Sequence, residues 1–433
     1  MTLRGALLLA LVAAAAVALM PLQANATTEA EKMLDITQAL TYLANQQQAD
    51  GRWAYGGVYT DVAATGSALL AFQEAPVAAR PANYNAIVSS GLTYLFQQAR
   101  VVNIGAQPAG NPDSTLSGTG VYFNHISTLG NHDTYPTGMA IPAIVASGTP
   151  GAIVNAPGSA VNGWTYQQVV QETADYLAWG QNDGAWPQGG WGYVANDVGW
   201  SDNSNAQWPA VGMLYAQLWQ TAAQKAQLQF VKTELDKWIN TIQFRGALPN
   251  DGASDYVPGY NWRNPVKTGG LLVQMDYSQG QPPADVNAAV AYLNRAWLNG
   301  GFEAYAGNFG DAYAMWGVYK GLEVTIGLND TTNITNLNNQ LTARFGGLAP
   351  LDSGDNWTWW EDYCEYLHNT QLGDGSWASG GFVGGGPLAA AWYTNILNAT
   401  QIPPPVIPEP VTMIGVLAGI GGLVGYVRRR RLA

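Results

Sequence analysis

Cysteine is almost missing from this chain. Cys364 is the only one, so no intramolecular disulfide can form and stability must come from packing. Positive charge is scarce as well: 18 Lys and Arg stand against 30 Asp and Glu. Removing Arg4, Arg428–Arg431 and Glu409, which lie in the terminal segments, leaves 13 basic and 29 acidic residues, a net charge near −16 for the body. A field of that sign repels polyanions at low salt, so nucleic acid is not a candidate partner. Apolar residues, by contrast, make up 47% of the chain, with 51 Gly and 17 Trp. That composition points to a large core, many turns and aromatic-lined surfaces, not to disorder.

The termini carry targeting patterns. Residues 1–26 combine Arg4, an apolar run from Ala6 to Met20 and the small-x-small site Ala24-Asn25-Ala26, which reads as a signal peptide cleaved after Ala26. At the other end, 403–410 is a proline-rich spacer, 411–427 is an uncharged apolar stretch, and 428–433 holds Arg428, Arg429, Arg430 and Arg431. Seventeen residues span about 25 Å as a helix, near the short end for crossing a bilayer. The arginines should stay on the cytoplasmic side, leaving the body outside.

Between these segments, 27–402 is repetitive. Gln-x(2–3)-Gly-x-Trp occurs at Gln47, Gly51 and Trp53, at Gln181, Gly184 and Trp186, and at Gln371, Gly375 and Trp377, each behind Tyr-Leu. The tryptophans are 133 and 191 residues apart, about two and three times a unit of about 65. Degraded copies fill the gaps, at Trp238–Leu248 and Tyr292–Phe302, and Tyr94–Gln98 starts another that runs into an insertion. A second element alternates with the first: Asp-x-x-x-Thr-Gly at Asp61 and Asp133, an Asn version at Asn264, and divergent versions around Asp202, Asp311 and Gly384. Each of six units therefore reads helix, Gly-rich turn, helix. Helices such as TGSALLAF have little polar face and must be buried, whereas the Tyr-Leu helices are polar on one side. The Asp or Asn before each buried helix is a natural N-cap.

Two resemblances follow from these residues. Pro408-Glu409-Pro410, the apolar helix and the terminal arginines together resemble the PEP-CTERM sorting signal of Gram-negative bacteria. The resemblance implies export across the inner membrane, a temporary anchor through 411–427, processing by an exosortase-type enzyme, and a destination at the cell surface or outside, often where exopolysaccharide is made. The alternating repeats resemble the QW repeats of terpenoid cyclases and the wider prenyltransferase/squalene-cyclase superfamily over roughly 33–400. That resemblance implies an all-α fold, an α/α toroid of about six helix pairs with an inner ring inside an outer ring.

The chemistry of that superfamily is not carried over. Class II cyclases protonate an alkene with D-x-D-D, and this chain has none. The nearest acidic cluster, Glu361-Asp362, lies on an outer Tyr-Leu helix. Asp362-x-Cys364 with His368 resembles part of a prenyltransferase zinc set, but the reading preferred is a thiol packed in an outer helix, so no metal or cofactor is expected. Catalytic candidates are then Asp61, His132, Asp133, Asp202 and Asp311 at the starts of inner helices, with His125 nearby and the insertion from Gly105 to Gly120 as a lid. Trp191, Tyr193, Trp200 and Trp208 are candidate ligand-facing aromatics. The expectation is a cell-envelope protein whose toroid binds a glycan or apolar ligand, with exopolysaccharide or lipid as partner, and without cyclase chemistry. The alternative is an enzyme, either a divergent isoprenoid cyclase or a polysaccharide-cleaving toroid.

Overall fold

The structure is a computed structural model that describes residues 27–55, 61–124, 132–184, 187–197, 199–337, 358–381 and 383–402. These residues are mostly helical. The described residues up to Gln401 form one compact unit. Among the described residues no helix is long and apolar enough to cross a membrane. The segments 1–26 and 403–433, and with them every processing residue named above, lie outside the described residues.

Six helices are buried on nearly all sides: α2 (Asp61–Glu74), α4 (Thr134–Val145), α6 (Asn203–Ala216), α9 (Pro265–Ser278), α11 (Ala312–Ile326) and α13 (Pro387–Leu397). Each packs on the next in chain order, and α13 packs back on α2. Seven amphipathic helices flank them: α1 (Glu29–Gln46), α3 (Tyr84–Gln97), α5 (Tyr166–Gly180), the short α7 (Ala222–Gln227), α8 (Gln229–Ile242), α10 (Pro283–Ala296) and α12 (Trp359–Thr370). In α8 the buried positions Val231, Leu235, Trp238, Ile239 and Ile242 form one stripe at helical spacing, which is why this helix has one packed and one wet side. Reciprocal capping boxes, Thr28 with Glu31, Thr165 with Gln168 and Thr358 with Glu361, start α1, α5 and α12. The expectation of an all-α domain agrees with this mostly helical structure.

The repeated turn joins one pair to the next. The Gln47 amide donates to the carbonyls of Gly51 (2.9 Å) and Ile87 (3.0 Å), and the Trp53 indole donates to the Leu43 carbonyl (2.7 Å). Gln371 repeats this with Gly375 (3.2 Å) and Asp35 (2.9 Å), and Trp377 with Leu367 (2.8 Å). In the second copy, however, Gln181 reaches Gly189 (2.9 Å) and Val231 (3.0 Å), and it is Trp191 that donates to Leu177 (2.8 Å). The sequence reading of Gly184 and Trp186 as this turn is thus corrected to Gly189 and Trp191, and Trp186 lies outside the described residues. In the fourth unit Gly252 takes the same place, not the Gly246 of the degraded copy: φ is 86°, and an added β-carbon would stand 2.0 Å from the Ala288 carbonyl.

The Thr-Gly of the second element has two separate jobs. The hydroxyls of Thr65, Thr137 and Thr268 accept the backbone N–H of Trp53 (3.1 Å), Phe123 (2.9 Å) and Ser254 (3.1 Å), tying each buried helix to its turn. Gly66, Gly138 and Gly269 let the neighbouring buried helix approach, since a β-carbon there would lie 2.7, 2.4 and 2.3 Å from its backbone carbonyls. Met139, Trp208 and Gly317, which face these glycines, each lie five residues past the start of their helices, so these three pairs of neighbouring helices meet at similar depths.

Among the described residues the strands are β1 (Ala99–Asn103) and β2 (Thr119–Phe123), an antiparallel hairpin carrying the insertion. It does not form a lid. The insertion packs on the flanking helix α5, where Asp175 accepts from the Ser114 N–H (2.8 Å) and hydroxyl (2.5 Å), and Glu172 accepts from Thr115, Ser117 and Thr119 hydroxyls.

Candidate functional site

The five candidate catalytic residues stand at the starts of buried helices, and each carboxylate has its own set of hydrogen-bond partners. Asp61 accepts from the Tyr55 N–H (2.9 Å) and faces the Arg52 guanidinium at 3.5 Å. Asp133 occupies the N-cap position of α4 without capping it; its backbone is already in the right-handed region (φ −107°, ψ −23°) and not in the extended conformation that Asp311 has at the start of α11. It bonds to Tyr176 and Thr134, and burial raises its pKa to about 6. The His132 ring lies 4.6 Å from that of Tyr193, and burial lowers its pKa. His125 lies outside the described residues.

Asp202 is fully buried and saturated. One oxygen accepts from the N–H groups of Ser204 (2.8 Å) and Asn205 (3.0 Å) and from the Ser204 hydroxyl; the other accepts from the Trp200 indole (2.8 Å) and the Asn205 amide (2.9 Å). Asp311 caps α11 through one oxygen, to Tyr313 N–H (3.0 Å) and Ala314 N–H (3.2 Å), and burial raises its pKa. Asp202 and Asp311 share one neighbour, Lys267.

Lys267 was not singled out by the sequence reading. It precedes Thr-Gly in the Asn264 copy, at the position held by Ala64 and Pro136 in other copies, and a cation in an otherwise small or apolar slot is the signal that marks it. Burial pushes its ammonium pKa down to about 8, against the pull of Asp202 and Asp311. The ammonium sits 5.3 Å from the Tyr256 ring centre and 5.0 Å from that of Tyr313.

Around this lysine runs a chain of aromatic rings. Centre-to-centre distances are 6.4 Å from Trp200 to Tyr256, 5.5 Å from Tyr256 to Trp262 and 4.8 Å from Trp262 to Tyr305. The run is partly open to solvent, with Trp200 37%, Tyr260 52% and Tyr305 71% exposed. Of the four aromatics expected to face a ligand, Trp200 lies on this run, and Tyr193 bonds through its side chain to Tyr256. Trp191 is completely buried in its turn. Trp208 is 5% exposed and stacks on Trp392 at 5.7 Å, deep between α6 and α13.

Aromatic side chains from α6, α11 and α13 come together among the buried helices. Trp208, Trp316 and Trp392 line a cavity of about 20 Å³ there, room for about one water and far below a sugar ring. Toward the carboxyl-terminal ends, Lys320 donates to the Thr400 carbonyl (2.6 Å) and pairs with Glu323 (3.4 Å). On the flanking side, Cys364 is buried and burial raises its thiol pKa, while His368 pairs with Asp35 of α1 at 2.9 Å. Among the described residues no group of three or more His, Cys, Asp or Glu is placed to hold a metal ion.

No protein-family model matches the chain, and no curated protein matches it.

Proposed function

We propose that this chain is an exported cell-envelope protein, sorted through its carboxyl-terminal segment, whose domain is an α/α toroid that binds a glycan without cyclase chemistry. The toroid reading is supported by the circuit of six buried helices, α2 to α13 and back to α2, which would form the inner ring, with α1, α3, α5, α8, α10 and α12 outside. The observation that carries the binding reading is the partly exposed aromatic run Trp200–Tyr256–Trp262–Tyr305 beside Asp202 and Lys267. Flat apolar faces next to fixed donors and acceptors match a sugar, which has apolar ring faces and polar edges. The separate engagement of Asp61, Asp133, Asp202 and Asp311 argues against an enzyme, which needs acid and base within reach of one reacting atom.

Titration of the full exported chain, purified in detergent, with an oligosaccharide panel tests this. Trp262→Ala should weaken binding about tenfold, or ~1.4 kcal/mol, with unchanged thermal unfolding, whereas Trp200→Ala should weaken it similarly but also lower stability, because it removes a donor from buried Asp202. Binding to no oligosaccharide overturns the glycan reading, and consumption of a bound one restores the enzyme. The sorting half has its own measure: deleting Arg428–Arg431 should retain the protein in a different cell fraction, and identical fractionation counts against it.

A further inference from the structure

Lys267 lies in the first turn of α9 and is 9% exposed. Among the described residues its ammonium makes no hydrogen bond and no ion pair. Its three N–H donors are therefore left to solvent or to a ligand. The fold treats its other buried lysine differently: Lys320, deeper at 1% exposed, has both a carbonyl and a carboxylate.

An open acceptor lies on the adjacent helix. Asp202 has no spare oxygen, but Asp311 uses only Oδ1 for its helix cap, and among the described residues Oδ2 accepts no hydrogen bond. Glycine backbone packs close on one side of Oδ2: a β-carbon at Gly381 would lie 2.0 Å from it, and one at Gly307 2.9 Å. The donor on α9 and the acceptor on α11 belong to helices that pack directly together, and the rings of Tyr256 and Tyr313 stand beside the donor.

This combination discriminates between ligands. A carboxylate-bearing sugar would satisfy Lys267 but would meet two aspartates and a strongly acidic body. A neutral sugar satisfies both open groups, one hydroxyl accepting from the ammonium and its neighbour donating to Asp311. We propose that Lys267 and Asp311 read a pair of adjacent hydroxyls on a neutral sugar residue, so that the ligand class is a neutral glycan and not a uronate polymer. The inference rests on the glycan-binding reading above.

The test titrates the full exported chain, in detergent, with cellohexaose, xylohexaose and mannohexaose, and with oligogalacturonate as the anionic arm. At least one neutral oligosaccharide should bind, and oligogalacturonate should not. Lys267→Met and Asp311→Asn should each weaken neutral binding tenfold or more; Asp311→Asn keeps the capping oxygen, so thermal unfolding should hold. Periodate oxidation followed by reduction of the bound oligosaccharide, which destroys adjacent hydroxyl pairs, should abolish binding to the unaltered protein. If the neutral ligand binds both variants and its oxidised form equally well, the hydroxyl-reading site is wrong and the glycan reading stands. Selective binding of oligogalacturonate, lost in Lys267→Met, likewise overturns the site and keeps the glycan reading. If the unaltered protein binds none of them, both fall.

Discussion

Replacing Gly189 by Ala should cost about 3–5 kcal/mol of stability, whereas Gly184→Ala should stay within about 0.5 kcal/mol. The two glycines are five residues apart, and both precede a tryptophan in a Gly-x-Trp pattern. Only Gly189 has a left-handed φ, 89°, and a β-carbon there would stand 1.9 Å from the Glu234 carbonyl. That carbonyl belongs to α8, whose backbone cannot retreat without pulling Val231 off the Gln181 amide. At Gly184 the nearest atom to an added β-carbon is the Pro108 ring at 3.8 Å, an ordinary contact. Guanidinium unfolding of the two variants decides it, and a larger loss at Gly184 would restore the register that the motif alone suggests.

Asp202→Ala should be nearly as damaging, at about 3–5 kcal/mol, because five donors lose their acceptor at a fully buried position. Asp202→Asn keeps an acceptor oxygen for the helix amides and should cost roughly 1–2 kcal/mol, mainly through the repulsion between two NH₂ groups if its amide meets that of Asn205. Circular dichroism melts of both variants measure this directly. The comparison also separates capping from chemistry at this residue: an Asn variant that folds but loses any turnover by orders of magnitude would return Asp202 to the catalytic list, against the reading given above.

The helix pairs were legible because burial leaves a mark on composition. Val62 to Gln73 is buried without a break, and so has no polar face to offer, while α8 keeps the 3.6-residue stripe of a half-buried helix. Trp53 and Trp377 were legible for the same reason, since their spacing from Gln is short and uninterrupted. The second copy was misread because its turn is five residues longer, and the choice between two Gly-x-Trp candidates depends on φ and on a carbonyl from a helix about 45 residues away. Phe123 reaches the slot that Trp53 holds in the first unit, as its bond to Thr137 records, but arrives from a strand, where no helical period announces it. Lys267 was passed over because the repeat pattern leaves its position free, and its meaning comes from Asp202, Asp311, Tyr256 and Tyr313, which the fold brings from three other segments.

The last turn docks on the first helix: Gln371 bonds to Asp35, and Glu365 accepts from Thr27 across 338 residues of chain. Helix α1 is therefore made first and partnered last. Until α12 and α13 are in place, the buried stripe of α1, Ile36, Ala39, Leu40 and Leu43, lacks its partners, so closing the unit requires nearly the whole chain up to Leu397.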